Sequence, residues 1–175
     1  AEAGCAVWDA DAAVHRLYAA GGAAVAAFQD RFPEAVVDGA VSRPKLKEII
    51  AATPAALAEI ERIVHPLVGQ DRQLFMEKAA SDIAVLDIPL LYETGGEKRM
   101  DAVACVHVDE ATQRERVLDR GTVTEAQFDA IRAKQMPSAE KCARADYVIE
   151  TDTLDHARAQ VKAVVDDIRR KMTHA

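Results

Sequence analysis

Short apolar runs that end in a carboxylate alternate along this chain with stretches of helical period. Ala6-Val7-Trp8 leads into Asp9-Ala10-Asp11, Ile83-Ala84-Val85-Leu86 into Asp87, and residues 102–108 into Asp109. Continuous apolar runs of this length predict buried strands of a parallel sheet. Tyr147-Val148-Ile149 predicts a short last strand. Ahead of the first run, Gly4 sits where a left-handed residue closes the last turn of a helix. Asp11 is placed to cap a helix over 11–18, stopped at Gly21-Gly22. A second helix is expected over 23–32, ended by Pro33. Ser42 caps a third, carrying Leu46, Ile49 and Ile50. Thr53-Pro54 joins a cap residue to a Pro at the first helical position and opens a fourth helix toward Lys78. Its apolar face is Leu57, Ile60, Val64, Leu67, Leu74 and Phe75, and Pro66 predicts a kink after His65. Later helices are expected over 110–119, closed by Gly121, and over 124–135, opened by a Thr124–Gln127 capping box. A terminal helix runs from Asp152 or Thr153 through Lys171.

Strands separated by helices imply right-handed crossovers, so the fold class is α/β, a parallel sheet flanked by helices. The helical stretch 12–81 is an insertion expected to form an all-helical substrate-binding domain. Residues 1–11 and 82–175 supply the core, with a small arm over about 120–145. Half of the 175 residues are hydrophobic but only 5% are aromatic, so Ala, Val, Leu and Ile must build that core. Net charge is −7, from 22 basic and 29 acidic side chains, which argues against a nucleic-acid partner. Cys5, Cys105 and Cys142 form no CxxC and are expected to be reduced thiols. With no membrane-length apolar run and no signal peptide, a cytoplasmic protein without a membrane partner is expected.

Asp9 and Asp11 fall at the carboxyl end of a strand, where open α/β sheets bind their ligands. On extended backbone the two would point the same way, with Asp11 better placed as a base. The plainer alternative makes Asp11 a helix cap and Asp9 a solvated strand end. Asp87 ends its run as the carboxylate of a Walker-B strand does, approaching phosphate-bound Mg2+ directly or through water. Glu93 lies in the loop that follows Pro89. Arg114, Arg116 and Arg120 share one short helix, with Arg132, Lys134, Lys141 and Arg144 beyond it. Fixed cations of this kind surround phosphoryl oxygens in transfer reactions. They equally pair with Glu110, Glu115 and Asp119 on an ordinary surface. Arg120 stands apart because it precedes Gly121, where an arm would hinge. His65 is a packed or capping group, or a binding residue of the helical block. Lys162, Asp166 and Asp167 lie on a solvated helix face.

These elements, in this order, resemble the dephospho-coenzyme A kinase family. The resemblance rests on Asp9-Ala10-Asp11 with His15-Arg16-Leu17, Ser42-Arg43-Pro44-Lys45-Leu46 and His65-Pro66-Leu67. It continues through Asp87-Ile88-Pro89-Leu90-Leu91-Tyr92-Glu93, then Gln113, Arg116 and Arg120, Gln135, Lys141 and Ala145-Asp146-Tyr147-Val148-Ile149. It covers nearly the whole chain. The chain departs from the family at Glu150-Thr151-Asp152, where an Asn and then a Gly are usual, so the adenine contacts are not carried over. The family's GxxxxGKS/T phosphate loop (P-loop) is also absent from these residues.

The resemblance implies a P-loop-type kinase fold with ATP, Mg2+ and dephospho-coenzyme A as ligands. The γ-phosphate would move to the ribose 3′-hydroxyl in the last step of coenzyme A synthesis. Asp11 and Arg120 would be catalytic. Asp9, Arg43, His65, Pro89, Leu90 and Glu93 would bind the acceptor, and Arg116, Arg120 and Lys141 would hold ATP phosphates on a lid. Asp87 would reach the metal, and a monomer or small homo-oligomer is expected. Lacking the loop, the 175 residues alone are expected not to turn over ATP, and a longer parent would carry about 20 more, a typical strand-loop-helix length. Two other readings of the residues remain. A strand ending D-x-D also opens haloacid-dehalogenase-type phosphatases, with Asp9 as nucleophile and Asp11 as acid/base. A non-catalytic α/β binding scaffold is the third.

Overall fold

The computed structural model describes residues 1–174, and its chain divides into two compact units, Ala1–Pro89 and Leu90–Ala175. The first unit runs β1 (Ala6–Asp9), α1 (Ala10–Tyr18), α2 (Val25–Arg31), β2 (Val36–Val37), β3 (Ala40–Val41), α3 (Arg43–Ala52), α4 (Ala56–Lys78) and β4 (Ala84–Asp87). β1 and β4 pair in parallel, Ala6 opposite Ala84 through Asp9 opposite Asp87. The helices bury one apolar core against α4, with Leu17, Phe28, Phe32, Leu46, Ile60 and Val64 at its centre. Phe28 is fully enclosed and takes the Tyr18 ring edge-on, centroids 5.5 Å apart.

The second unit runs β5 (Ala104–His107), α5 (Glu110–Asp119), α6 (Glu125–Arg132), α7 (Ser138–Arg144), β6 (Tyr147–Glu150) and α8 (Leu154–Thr173). β5 and β6 also pair in parallel, Ala104 opposite Tyr147 through His107 opposite Glu150. The expected capping box forms at Thr124, whose hydroxyl receives the Gln127 N–H while the Gln127 side chain receives the Thr124 N–H. Thr153 caps α8. No helix of the described residues is long and apolar enough to cross a membrane.

The structure departs from the sequence reading at several local points. The cap of α1 is Asp9, not Asp11: Asp9 keeps extended backbone, and its carboxylate receives the Ala12 N–H at 2.9 Å. Asp11 therefore lies inside the first helical turn, so the two carboxylates do not share one face of an extended segment. Thr53 closes α3, its N–H bonded to the Ile49 carbonyl at 2.8 Å, and α4 begins only at Ala56. α4 then continues through Pro66 to Lys78. The block expected to be all helical also contains the β2–β3 hairpin. Its turn is Asp38-Gly39, both with positive φ (50° and 74°), the conformation that selects Asp-Gly in two-residue hairpins. α6 ends at Arg132 and leaves a tight turn before α7, which the sequence reading did not place. The strands read as buried are partly open. Val85 is 42% exposed and Val106 65%, because each strand has a single partner among the described residues.

Candidate active site

In the first unit, parallel pairing sets the ends of β1 and β4 side by side, with Asp9 directly opposite Asp87. Strands in such a pair lie about 4.8 Å apart, so two carboxylates meet at one sheet end. Asp11 adds a third from the first turn of α1. Partial loss of water, then the charges of Asp9 and Asp11, hold the Asp87 carboxyl above its ordinary range. The three differ in what they are free to do. Asp9 is engaged in the helix cap, whereas Asp11 is exposed and makes no hydrogen bond or ion pair among the described residues.

No group of three or more His, Cys, Asp or Glu side chains is arranged to hold a metal ion among the described residues. Mg2+ carried by a nucleotide does not need such a group. It keeps water and phosphate oxygens as ligands and takes one or two protein carboxylates. The crowding of Asp87 by two like charges is the situation a cation relieves, so this strand end fits an ion brought in with phosphates.

The other residues expected in the acceptor block stand apart along it. Arg43 opens α3 and lays its guanidinium over the Tyr18 ring, 6.0 Å from the centroid. Burial pushes the Tyr18 hydroxyl up, and the Arg43 charge opposes that shift. His65 is exposed in the middle of α4 and makes no hydrogen bond among the described residues, which removes the reading of it as a packed or capping group. Pro89 ends the first unit. A feature the sequence reading did not find lies behind β1. The Trp8 indole N–H donates to Asp71 Oδ1 at 2.7 Å, and Arg16 Nη2 reaches the same oxygen at 2.6 Å. Nothing in the spacing of Asp71 along α4 marks it out.

In the second unit, Leu90 lies exposed in the turn that opens it. Glu93 and Lys141, read separately as acceptor and phosphate residues, bind one another at 2.8 Å with both side chains mostly buried. Partial burial pushes the Glu93 carboxyl up. The Lys141 ammonium and the Met136 N–H (2.9 Å) outweigh that and hold it below the usual range. The cations read as one phosphate-facing set are mostly committed elsewhere. Arg116 donates to the Thr151 and Asp152 carbonyls at 2.7 and 3.1 Å, pinning the segment where the chain departs from the family pattern. Arg114 pairs with Glu125 and Asp129, and Arg132 with Glu110. Arg120, the residue after α5, makes no ion pair among the described residues. Gly121 beyond it turns left-handed at φ 64°, which supplies the chain reversal expected there.

On α8, Lys162 pairs with Asp166 at 2.8 Å. Asp167 receives the Tyr147 hydroxyl at 2.7 Å and an ion pair from Lys171 at 2.9 Å. Asp167 therefore fastens α8 to β6 and is not merely solvated. The Lys and acidic pair that a phosphatase site requires are bound to each other and to β6.

Parallel strand pairs flanked by helices, with carboxylates at a strand end, place the chain in the α/β class, whose sheets bind ligands at that edge. The chain matches the dephospho-CoA kinase family over residues 1–156. A dephospho-CoA kinase of Ruegeria pomeroyi is 66% identical over 172 residues, 98% of this chain and 87% of the relative. A crystal structure from Thermus thermophilus superposes with a TM-score of 0.76 at 29% identity, covering 94% of this chain and 85% of that one. A dephospho-CoA kinase from Campylobacter jejuni shares the fold at 18% identity, with a TM-score of 0.67 and coverage of 97% and 88%. The chain belongs to the dephospho-CoA kinase family.

Proposed function

We propose that Asp11 is the group that activates the acceptor in this family's reaction, the transfer of the γ-phosphate of ATP to the ribose 3′-hydroxyl of dephospho-coenzyme A. The observation that carries this is the division of labour among the three carboxylates. Asp9 is occupied by the α1 cap and Asp87 is crowded, while Asp11 is exposed and unengaged. Asp11 orients the 3′-hydroxyl and accepts its proton as the oxygen attacks phosphorus, and ADP leaves. Arg120 meets charge that grows on the transferring phosphoryl group. Asp9 shapes the turn beside the acceptor, and Arg43 and His65 bind the acceptor from the helical block 12–81. Pro89, Leu90 and Glu93 are assigned to acceptor binding as well. Lys141 serves the lid over about 120–145 on the ATP phosphates, within a core made of 1–11 and 82–175, while Arg116 holds the Thr151–Asp152 segment.

Mg2+ enters with ATP, and Asp87 is the carboxylate that would hold it, directly or through water. When bound, it neutralises charge on the triphosphate oxygens. The enzyme works in the cytoplasm as a monomer or small homo-oligomer. A thermal-shift comparison tests the reading. Dephospho-coenzyme A is expected to raise the melting temperature. Stabilisation instead by beryllium or aluminium fluoride with Mg2+ and no nucleotide would make this a phosphatase.

A further inference from the structure

Residues 9–11 turn the chain from the end of β1 directly into the start of α1, and the one side-chain bond there is the Ala12 N–H donated to the Asp9 carboxylate. What holds the turn lies on either side of it. Trp8 points to the opposite face of the strand from Asp9, as alternation requires, and is 3% exposed. Its indole N–H and the Arg16 guanidinium converge on Asp71 Oδ1, at 2.7 and 2.6 Å, with Arg16 Nε at 3.4 Å from Oδ2. One carboxylate on α4 thus ties down both ends of the segment that carries Asp9 and Asp11.

We propose that Asp71 is a positioning residue for the phosphoryl transfer assigned above, on which the proposal rests. It fixes the Asp9–Asp11 turn by binding Trp8 before it and Arg16 after it. The reason is geometric. A base and an attacking oxygen must be held close to their reacting separation, and a misplacement of about 1 Å costs on the order of 10²-fold in rate. Without Asp71, the buried Trp8 N–H has no acceptor and Arg16 no anchor, and the turn is held to the sheet alone. A rival explanation is that Asp71 touches substrate. It lines, with Asp9, Trp8, Arg16 and Lys78, an open cleft of about 480 Å³.

Trp8 is the only tryptophan in the chain, so indole emission reads the clamp directly and steady-state kinetics reads its consequence. Asp71→Ala is expected to change the emission and to lower kcat by about 10-fold or more, while the KM of ATP and of the acceptor stays within about twofold. Trp8→Phe should lower kcat comparably, and the double variant should cost no more than the worse single one, the signature of one shared contact. Arg16→Gln, at an exposed side chain, loosens only one end. It should lower kcat with the Trp8 emission unchanged, and it keeps the test available if Asp71→Ala folds poorly. Unchanged emission in Asp71→Ala would overturn the proposal, as would altered emission with an unchanged kcat, or a loss confined to the acceptor's KM. If the unsubstituted full-length protein releases no ADP in response to dephospho-coenzyme A, the kinase reading fails and the positioning role fails with it. The emission change would still register the clamp.

Discussion

At the scale of single residues, the proposed chemistry turns on which carboxylate is free. Asp11→Asn removes a proton acceptor without changing shape, so kcat should fall by about 10²-fold or more while acceptor binding is retained. Asp9→Asn should cost less in rate, since Asn also caps helices well. A larger loss at Asp9, with phosphate trapped on its carboxylate, would point to the phosphatase mechanism. Arg120→Ala should lower kcat more than it weakens acceptor binding, because the charge it meets grows in the transition state. His65→Ala and Arg43→Ala should raise the acceptor's KM with a smaller effect on kcat. Steady-state kinetics on these variants decides the division of roles. Asp9, Asp11 and Asp87 were legible from their places after apolar runs. Their unequal states were not, because capping and mutual repulsion depend on pairing that a linear pattern does not contain. Asp71 was illegible for the same reason. It lies 63 positions from Trp8, and only the packing of α4 behind β1 brings the two together.

At the scale of elements, most helices were readable because their starts carry chemistry that acts locally, as at Ser42, Thr124 and Thr153. Thr53-Pro54 misled because the same residues suit the closing turn of α3, and the tertiary path chose that use. The β2–β3 hairpin interrupts the block expected to be all helical, and Asp38-Gly39 between Val-Val and Ala-Val is a strong short-range turn signal for it. Gly39→Ala should destabilise the first unit by about 1 kcal/mol, since a Cβ is strained at φ 74°. Denaturant unfolding measures it. Glu93→Gln breaks a mostly buried contact to Lys141 and should cost about 1–3 kcal/mol. Its pH dependence follows from a carboxyl held below its ordinary range. The stabilisation is present above the unfolded value and is lost as pH falls through the lower folded one. The gap between wild type and Glu93→Gln should therefore close in acid, and a gap that widened there would contradict the assignment. Asp87, raised by burial and by Asp9 and Asp11, has the opposite sign. Asp87→Asn should relieve repulsion and raise the melting temperature more at neutral pH than below the carboxylate range.

At the scale of the whole molecule, the α/β class was visible in four apolar runs separated by helices, whereas the burial of those runs was overestimated. A run of Val and Leu specifies a strand, but how much of it is covered depends on how many neighbours it has. Among the described residues β4 and β5 each have one. Among the carboxylates at the β1 and β4 ends, Asp11 is expected to take the proton and none is expected to carry phosphate. Transfer of label from γ-labelled ATP, in the full-length protein with dephospho-coenzyme A present, tests this most directly. The label should be recovered on the ribose 3′-oxygen of the product, one ADP formed for each acceptor consumed, with none on the protein. Label found on an aspartate, or released chiefly as inorganic phosphate, would contradict the account.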